Sequence, residues 1–363
     1  MAVTLRDVAL QAGVSVRTVS NVVNGKPHVR PVTRARVLDA ITALGYRPNL
    51  SARQLKYGRG GFLALVVPEL EAPYFAELAA LFTQVCVERG YLGLLESTGG
   101  TREHEQLVLR GAQTHMIDGI LFSPLSLSGS ELAERSPSQP MVLLGEREPP
   151  SGWSRVAVDS VAASRAVTEH LIATGRRRIA VIGHYEHDHS IGTGLLRFRG
   201  VIEALDAAGL AFDRQLLLGV RKYDQESGRR AMLTLLERAE RPDAVVCFND
   251  LMALGAIRAC YEAGVAVPDE IAIAGFDGNR QTAFSTPSLT TITPDMEALV
   301  RSAVGLLIDG CDDGVQVDVP WSLTIRESTA GRSSGSLVGA LPVRERDRLE
   351  LAEVNGAEHV GEP

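Results

Sequence analysis

The chain has 363 residues, 45% hydrophobic and 22% charged, a globular composition that excludes a disordered or fibrous protein. Its net charge of −7 is unevenly spread: residues 1–60 carry ten Lys/Arg against two acids, a net +8, which leaves −15 on residues 61–363. A small basic head on a large acidic body suits a polyanionic partner that the body itself repels.

The first residues lack the basic-then-apolar order of a signal peptide, and no run of eighteen apolar residues follows. A cytoplasmic protein with no membrane contact is expected. Thr4 is placed to cap a helix over 5–12, with Asp7 at the capping-box position and Leu5, Val8, Ala9 and Ala12 on one face. Gly13 breaks that helix into a tight turn. Ser15 caps a second helix from 16 to about 24, with Val19, Val22 and Val23 inward and Val16, Arg17, Ser20 and Asn21 outward. A third helix is expected over 33–44, with Val37, Ala40, Ile41 and Leu44 inward and Gly45 as its stop. Two short helices joined by a Gly-containing turn form a helix-turn-helix.

On that reading, the start of the second helix reaches base edges in the major groove of double-stranded DNA. Arg17 suits guanine, Asn21 adenine and Val16 a thymine methyl. Thr4, Ser15, Thr18, Asn24, Arg30, Thr33 and Arg34 are the further DNA-contact candidates, mainly toward phosphate. Residues 49–56 follow, with Asn49 as a cap and Ala52, Arg53 and Leu55 in a short basic segment. Leu55 is placed to wedge between base steps in the minor groove.

Residues 61–330 alternate apolar strands and helical patterns. Strands are expected at 62–67, 91–95, 119–122, 141–144, 179–182, 244–248 and 271–275. Helices are expected at 74–89, 102–114, 160–174, 194–208, 225–238 and 251–263, several stopped by Gly (Gly90, Gly175, Gly209, Gly264). That rhythm gives doubly wound α/β sheets, and the length is that of two such lobes. Ligand-facing residues belong after strand ends: Asn249, Asp250 and Asp277, with Arg197 at a helix start suited to a hydroxyl, carboxylate or phosphate, and Tyr223 as a stacking ring. Asp250 is expected to cap its helix rather than touch ligand. The cysteines (Cys86, Cys247, Cys260, Cys311) are scattered, against a disulfide frame or zinc site. His184, His187 and His189 share one loop, at spacing irregular for a metal, and no cofactor is expected. No nucleophile elbow, phosphate loop or dinucleotide fingerprint is present, so an enzyme is not expected.

Val3-Thr4-Leu5-Arg6-Asp7-Val8-Ala9, Ala12-Gly13-Val14-Ser15, Thr18-Val19-Ser20-Asn21-Val22-Val23-Asn24 and Gly45-Tyr46-Arg47-Pro48-Asn49 closely resemble the headpiece of the lactose-repressor (LacI/GalR) family. The likeness continues through Asp118-Gly119-Ile120, Asn249-Asp250-Leu251-Met252-Ala253 and Gly275-Phe276-Asp277 to about residue 330. It implies an all-α helix-turn-helix headpiece (1–48), a hinge helix and linker (49–60) and a two-lobed periplasmic-binding-protein-like α/β effector and dimerisation domain (61–331). The lobes cross near 160, 290 and 322, and 332–363 is a tail expected to be disordered. Without a heptad segment in that tail, a homodimer is expected. The resemblance places Val16, Arg17 and Asn21 at base-reading positions and Leu55 at the wedge. It places Tyr74, Phe75, Thr193, Arg197, Tyr223, Asn249 and Asp277 at the effector pocket, with Glu146 and Arg147 where an Asp-Arg pair is usual. It implies a sequence-specific transcriptional repressor that binds a pseudo-palindromic operator and answers to a small-molecule, sugar-like effector. The alternatives are an activator or an effector that is not a sugar; a periplasmic sugar receptor is disfavoured by the basic head.

Overall fold

The computed structural model describes residues 3–23, 28–46, 60–111, 117–134, 140–146, 149–185, 192–310 and 314–331. They divide into two compact units: residues 1–145, 149–156 and 296–317 in the first, and 146–148, 157–295 and 318–363 in the second. Apart from the excursion at 146–148, the chain passes between units after residues 156, 295 and 317.

The head contains α1 (Leu5–Ala12), α2 (Val16–Val23) and α3 (Pro31–Leu44). The amide and hydroxyl of Thr4 donate to Asp7 Oδ2 at 2.8 and 2.7 Å, which fixes the first turn of α1. These bonds, the hydroxyl's first, hold the Asp7 carboxyl below its ordinary range. Gly13 and Gly45 end α1 and α3 at φ 61° and 60°, a conformation that costs a side chain energy. Pro31 occupies the first turn of α3, where its missing N–H is no loss, so this helix starts two residues before the expected Thr33. Val8, Ala9, Ala12, Val19, Val22, Val37, Ala40 and Tyr46 close a miniature core.

In chain order the body continues with β1 (Phe62–Val67), α4 (Pro73–Glu88), β2 (Leu92–Ser97), α5 (Arg102–Gly111), β3 (Ile117–Phe122), α6 (Gly129–Ala133), β4 (Met141–Leu144) and β5 (Ser154–Val158). It then runs through α7 (Ser160–Ala173), β6 (Ile179–Tyr185), α8 (Thr193–Ala207), β7 (Leu217–Val220), α9 (Gln225–Leu236), β8 (Ala244–Cys247) and α10 (Asp250–Glu262). Last come β9 (Ala272–Phe276), β10 (Thr290–Pro294), α11 (Met296–Asp309), β11 (Gln316–Val319), β12 (Trp321–Thr324) and α12 (Glu327–Ala330).

Each unit is built on a six-stranded sheet. The order is β11-β5-β4-β3-β1-β2 in the first and β12-β10-β9-β8-β6-β7 in the second. Within the first, β1, β3, β4 and β5 pair in parallel, and their apolar runs are buried on both faces. In the second, β7, β6, β8, β9 and β10 are parallel and β12 is antiparallel to β10. This order places the turns after β6, β8 and β9 at one end of one sheet, where a doubly wound fold keeps its ligands.

Arg176 reaches across to the carbonyls of Pro268, Asp269 and Glu270. Helices α9 and α10 pack so closely that a Cβ on Gly255 would overlap the Gln225 carbonyl oxygen. Backbone on the neighbouring helix cannot rotate aside as a side chain can. Gly255→Ala is therefore expected to cost about 3 kcal/mol, the upper end for overpacking, read as a shift in the urea midpoint. An unchanged midpoint would contradict this helix contact.

Candidate functional site

Two surfaces carry the candidate chemistry. On the head, Ser15 Oγ accepts the Thr18 amide at 3.1 Å and lies 2.9 Å from the Thr18 hydroxyl, so Ser15 caps α2 as expected. Val16 and Arg17 are exposed beside that helix start, and Thr18 and Asn21 are half-buried. Ser20 is corrected: it is 7% exposed and belongs to the packed side of α2, not to the outward set. Thr4 and Arg30 are exposed, and Thr33 and Arg34 half-buried. Asn24, Asn49, Ala52, Arg53 and Leu55 lie outside the described residues.

Just before β1, the amides of Gly60 and Gly61 donate to the two carboxylate oxygens of Asp118 at 2.6 and 2.7 Å. Asp118, on β3, thus staples the start of the body. Sequence reasoning quoted Asp118 only as part of a motif; its partners are 57 and 58 residues away.

The second surface lies within the second unit. Arg197, the fifth residue of α8, is 6% exposed. Its Nη2 donates to Glu146 at 2.8 Å, its Nη1 to the Phe248 carbonyl, and its Nε to Ser160 Oγ at 3.4 Å. Asp277 Oδ1 lies 3.8 Å from Nη1, and the Phe276 ring lies under the guanidinium at 3.4 Å. Arg197 thus pairs more closely with Glu146 than with Asp277. Burial works to discharge Arg197, but Glu146 and then Asp277 outweigh it and hold the guanidinium above its ordinary range.

Asn249 caps α10, its Oδ1 accepting the Met252 amide at 2.8 Å while its Nδ2 donates to the Tyr223 carbonyl at 2.9 Å. The expectation that Asp250 is the cap is therefore corrected, because Asn249 holds the extended backbone of a cap position and Asp250 is already helical. The Asp250 carboxylate instead accepts the Asn279 amide at 2.8 Å and the Thr291 hydroxyl at 2.5 Å. Thr291 Oγ1 in turn accepts the Gly278 amide at 3.3 Å. The turn so gripped starts at Asp277, whose φ of 118° makes it the one non-glycine with positive φ among the described residues. Such strain persists only where the surroundings over-determine it. Neither Thr291 nor this grip was foreseen.

Tyr223 donates its hydroxyl to the Gly183 carbonyl, and Thr193, first residue of α8, is half-buried. Tyr74 and Phe75 are in the first unit, half-buried at the start of α4 with rings edge to face at 5.2 Å. Of the histidine loop only His184 is described, and no group of three metal-ligating side chains occurs among the described residues. Burial pushes the Cys86 and Cys260 thiols up to about 12, which leaves both protonated and poor nucleophiles.

Burial pushes the Asp250 carboxyl up to about 7, against the Thr291 hydroxyl, the Asn279 amide, Arg326 and Arg197, which pull it down. The folded protein therefore holds this proton more tightly than the unfolded chain. The stabilisation it brings is complete below about pH 4, the unfolded value, and fades as pH rises through about 7. Asp250→Asn is expected to flatten the fall of unfolding temperature between about pH 5 and 8. Identical pH profiles for the two proteins would refute it.

Residues 4–49 match the family of bacterial regulatory proteins named lacI, and residues 168–329 match a periplasmic binding protein-like domain. The HTH-type transcriptional repressor PurR of Erwinia tasmaniensis is 34% identical over 310 residues, covering 84% of this chain and 89% of that one. The chain belongs to the lacI family. As a lacI-family member it is a DNA-binding transcriptional repressor and not an enzyme. Among solved structures, the transcriptional regulator CelR in complex with cellobiose is 31% identical, with a TM-score of 0.67 over 90% of this chain and 99% of that one. The lac repressor dimer bound to operator and an anti-inducer is 25% identical, with a TM-score of 0.78 over 91% of this chain and 99% of that one. Repressors of the lacI family bind operator DNA and small-molecule effectors. No described helix is long and apolar enough to cross a membrane.

Proposed function

We propose that this lacI-family repressor binds a pseudo-palindromic operator as a homodimer and is switched by a sugar or sugar derivative held at the Arg197 cluster. Val16, Arg17 and Asn21 read bases, and Thr4, Ser15, Thr18, Arg30, Thr33 and Arg34 seat the head on phosphates. Asn24, Asn49, Ala52, Arg53 and Leu55 stay part of this reading, with Leu55 as the minor-groove wedge. The domain limits are those expected: headpiece 1–48, hinge 49–60, effector domain 61–331 and tail 332–363. A cytoplasmic location follows from DNA as partner.

The observation that carries the effector assignment is the buried set of Arg197, Glu146, Asn249 and Asp277, polar chemistry that folding alone does not require. Asn249 keeps one amide proton and one oxygen lone pair beyond its two structural bonds, which suits a hydroxyl. The cellobiose complex of CelR supports a carbohydrate. The dimer is supported by β2, an edge strand of the first sheet that leaves Leu92, Leu94 and Leu95 exposed. In the second unit, Tyr261 and Phe284 are exposed large rings. The lac repressor dimer on its operator supports the same reading. Two-fold symmetry in the protein asks for two-fold symmetry in the site.

Selection of duplexes from a random pool, followed by salt titration of the winner, tests the proposal. A palindromic consensus bound by a dimer, with affinity falling steeply as salt rises, is the expected result. Enrichment of no sequence, or of an unsymmetric one bound by a monomer, would overturn it.

A further inference from the structure

Arg197 is the only buried cation among the described residues. An arginine at a ligand site ordinarily serves as a receptor for carboxylate or phosphate. Here each nitrogen of the guanidinium already has a partner, and one of its flat faces is covered. Nη2 is given to Glu146, Nη1 to the Phe248 carbonyl with Asp277 next to it, Nε to Ser160, and one flat face to the Phe276 ring. Two carboxyl groups, Glu146 and Asp277, attend this one guanidinium, and Asp250 stands behind the Asp277 turn. The neighbouring cations do not change this balance. Arg326 donates to Thr282 and to the Leu289 carbonyl, while Lys222, Arg221 and Arg280 are exposed.

We infer that Glu146 sets the charge class of the effector: by neutralising Arg197 at 2.8 Å it turns an anion receptor into a site for an uncharged hydroxyl-bearing ligand that excludes phosphate and carboxylate. An incoming anion meets a guanidinium already paired with the Glu146 carboxylate, with the Asp277 carboxyl 3.8 Å away, and gains no free positive charge. A sugar hydroxyl, able to donate to a carboxylate and to accept from an amide, meets no such penalty. Glu146 is thus a specificity determinant. The inference rests on the effector reading above.

The test uses the full chain with inorganic phosphate as probe, followed by titration calorimetry. Wild type is expected to show no phosphate binding that depends on Arg197. Glu146→Gln keeps the shape and removes the charge, and is expected to bind phosphate at least about tenfold more tightly. The double variant Glu146→Gln with Arg197→Gln is expected to lose that gain, which assigns it to this site rather than to the basic head. If Glu146→Gln does not fold, as judged by its melting transition, Asp277→Asn is expected to give a smaller gain in the same direction. Arg197-dependent phosphate binding by wild type, or a folded Glu146→Gln that gains nothing, overturns the inference. Operator release by a panel of neutral sugars, lost in Arg197→Gln, reads the effector assignment independently, so the two failures are distinguishable.

Discussion

Arg17→Ala is expected to weaken operator binding by about 1–3 kcal/mol, roughly five- to 150-fold, and to relax preference at one base pair in each half-site. Arg17 is exposed on the first turn of α2, directly after the Ser15 cap that fixes the start of that helix. A guanidinium there presents a planar fork matched to guanine O6 and N7. Removing it from an exposed position costs no packing, so the head core around Val19 and Val37 and the melting temperature should hold. Binding to the selected operator and to its twelve or so single-base variants, at one salt concentration, separates the two effects. A loss spread equally over all variants would make Arg17 a phosphate contact instead.

Asp277→Gly is expected to abolish the effector response while leaving unliganded operator binding intact and the unfolding temperature at or above wild type. Holding an aspartate at φ 118° costs about 1–3 kcal/mol, a cost that glycine does not bear. The carboxyl is also buried, which raises its pKa well above the ordinary range against the pull of Arg197. What is lost is one ion contact at 3.8 Å to a guanidinium that keeps Glu146 at 2.8 Å. A fold would not retain a strained, buried acid for stability alone. Operator release is measured against a panel of neutral sugars, with Asp277→Asn as the variant that keeps the side-chain shape. A normal response by Asp277→Gly would move the effector site elsewhere.

The alternation of strands and helices was legible because long apolar runs and glycine stops mark it. The expected helix over 160–174 is α7, and the expected strand over 62–67 is β1. Strands β5, β7, β10, β11 and β12 were not read. Each has only four or five residues, and all but β7 include polar ones; such segments become strands only by pairing with a distant edge. Helix α11 was missed as well, with Gly305 weakening its interior signal. In the head, helical spacing placed Ser20 on the outward face, and closure of three helices buries it. At the effector site, residue types were legible and partnerships were not. Arg197 and Glu146 are 51 residues apart, and Asp250 and Thr291 41 apart. No local pattern distinguishes an aspartate that caps its own helix from one that grips a turn on another strand.

The staple at Asp118 bears on how the head lets go of DNA. Tyr46 is buried in the head and Gly60 is fastened to β3, so residues 47–59 alone separate these two fixed points. The distance between them cannot exceed about 50 Å whatever the conformation of those residues. In the proposed dimer, a head that slips off while its twin stays seated is still presented to its own half-site at an effective concentration on the order of millimolar. Recapture would outrun escape, so a signal that frees only one head achieves little and derepression has to act on the pair.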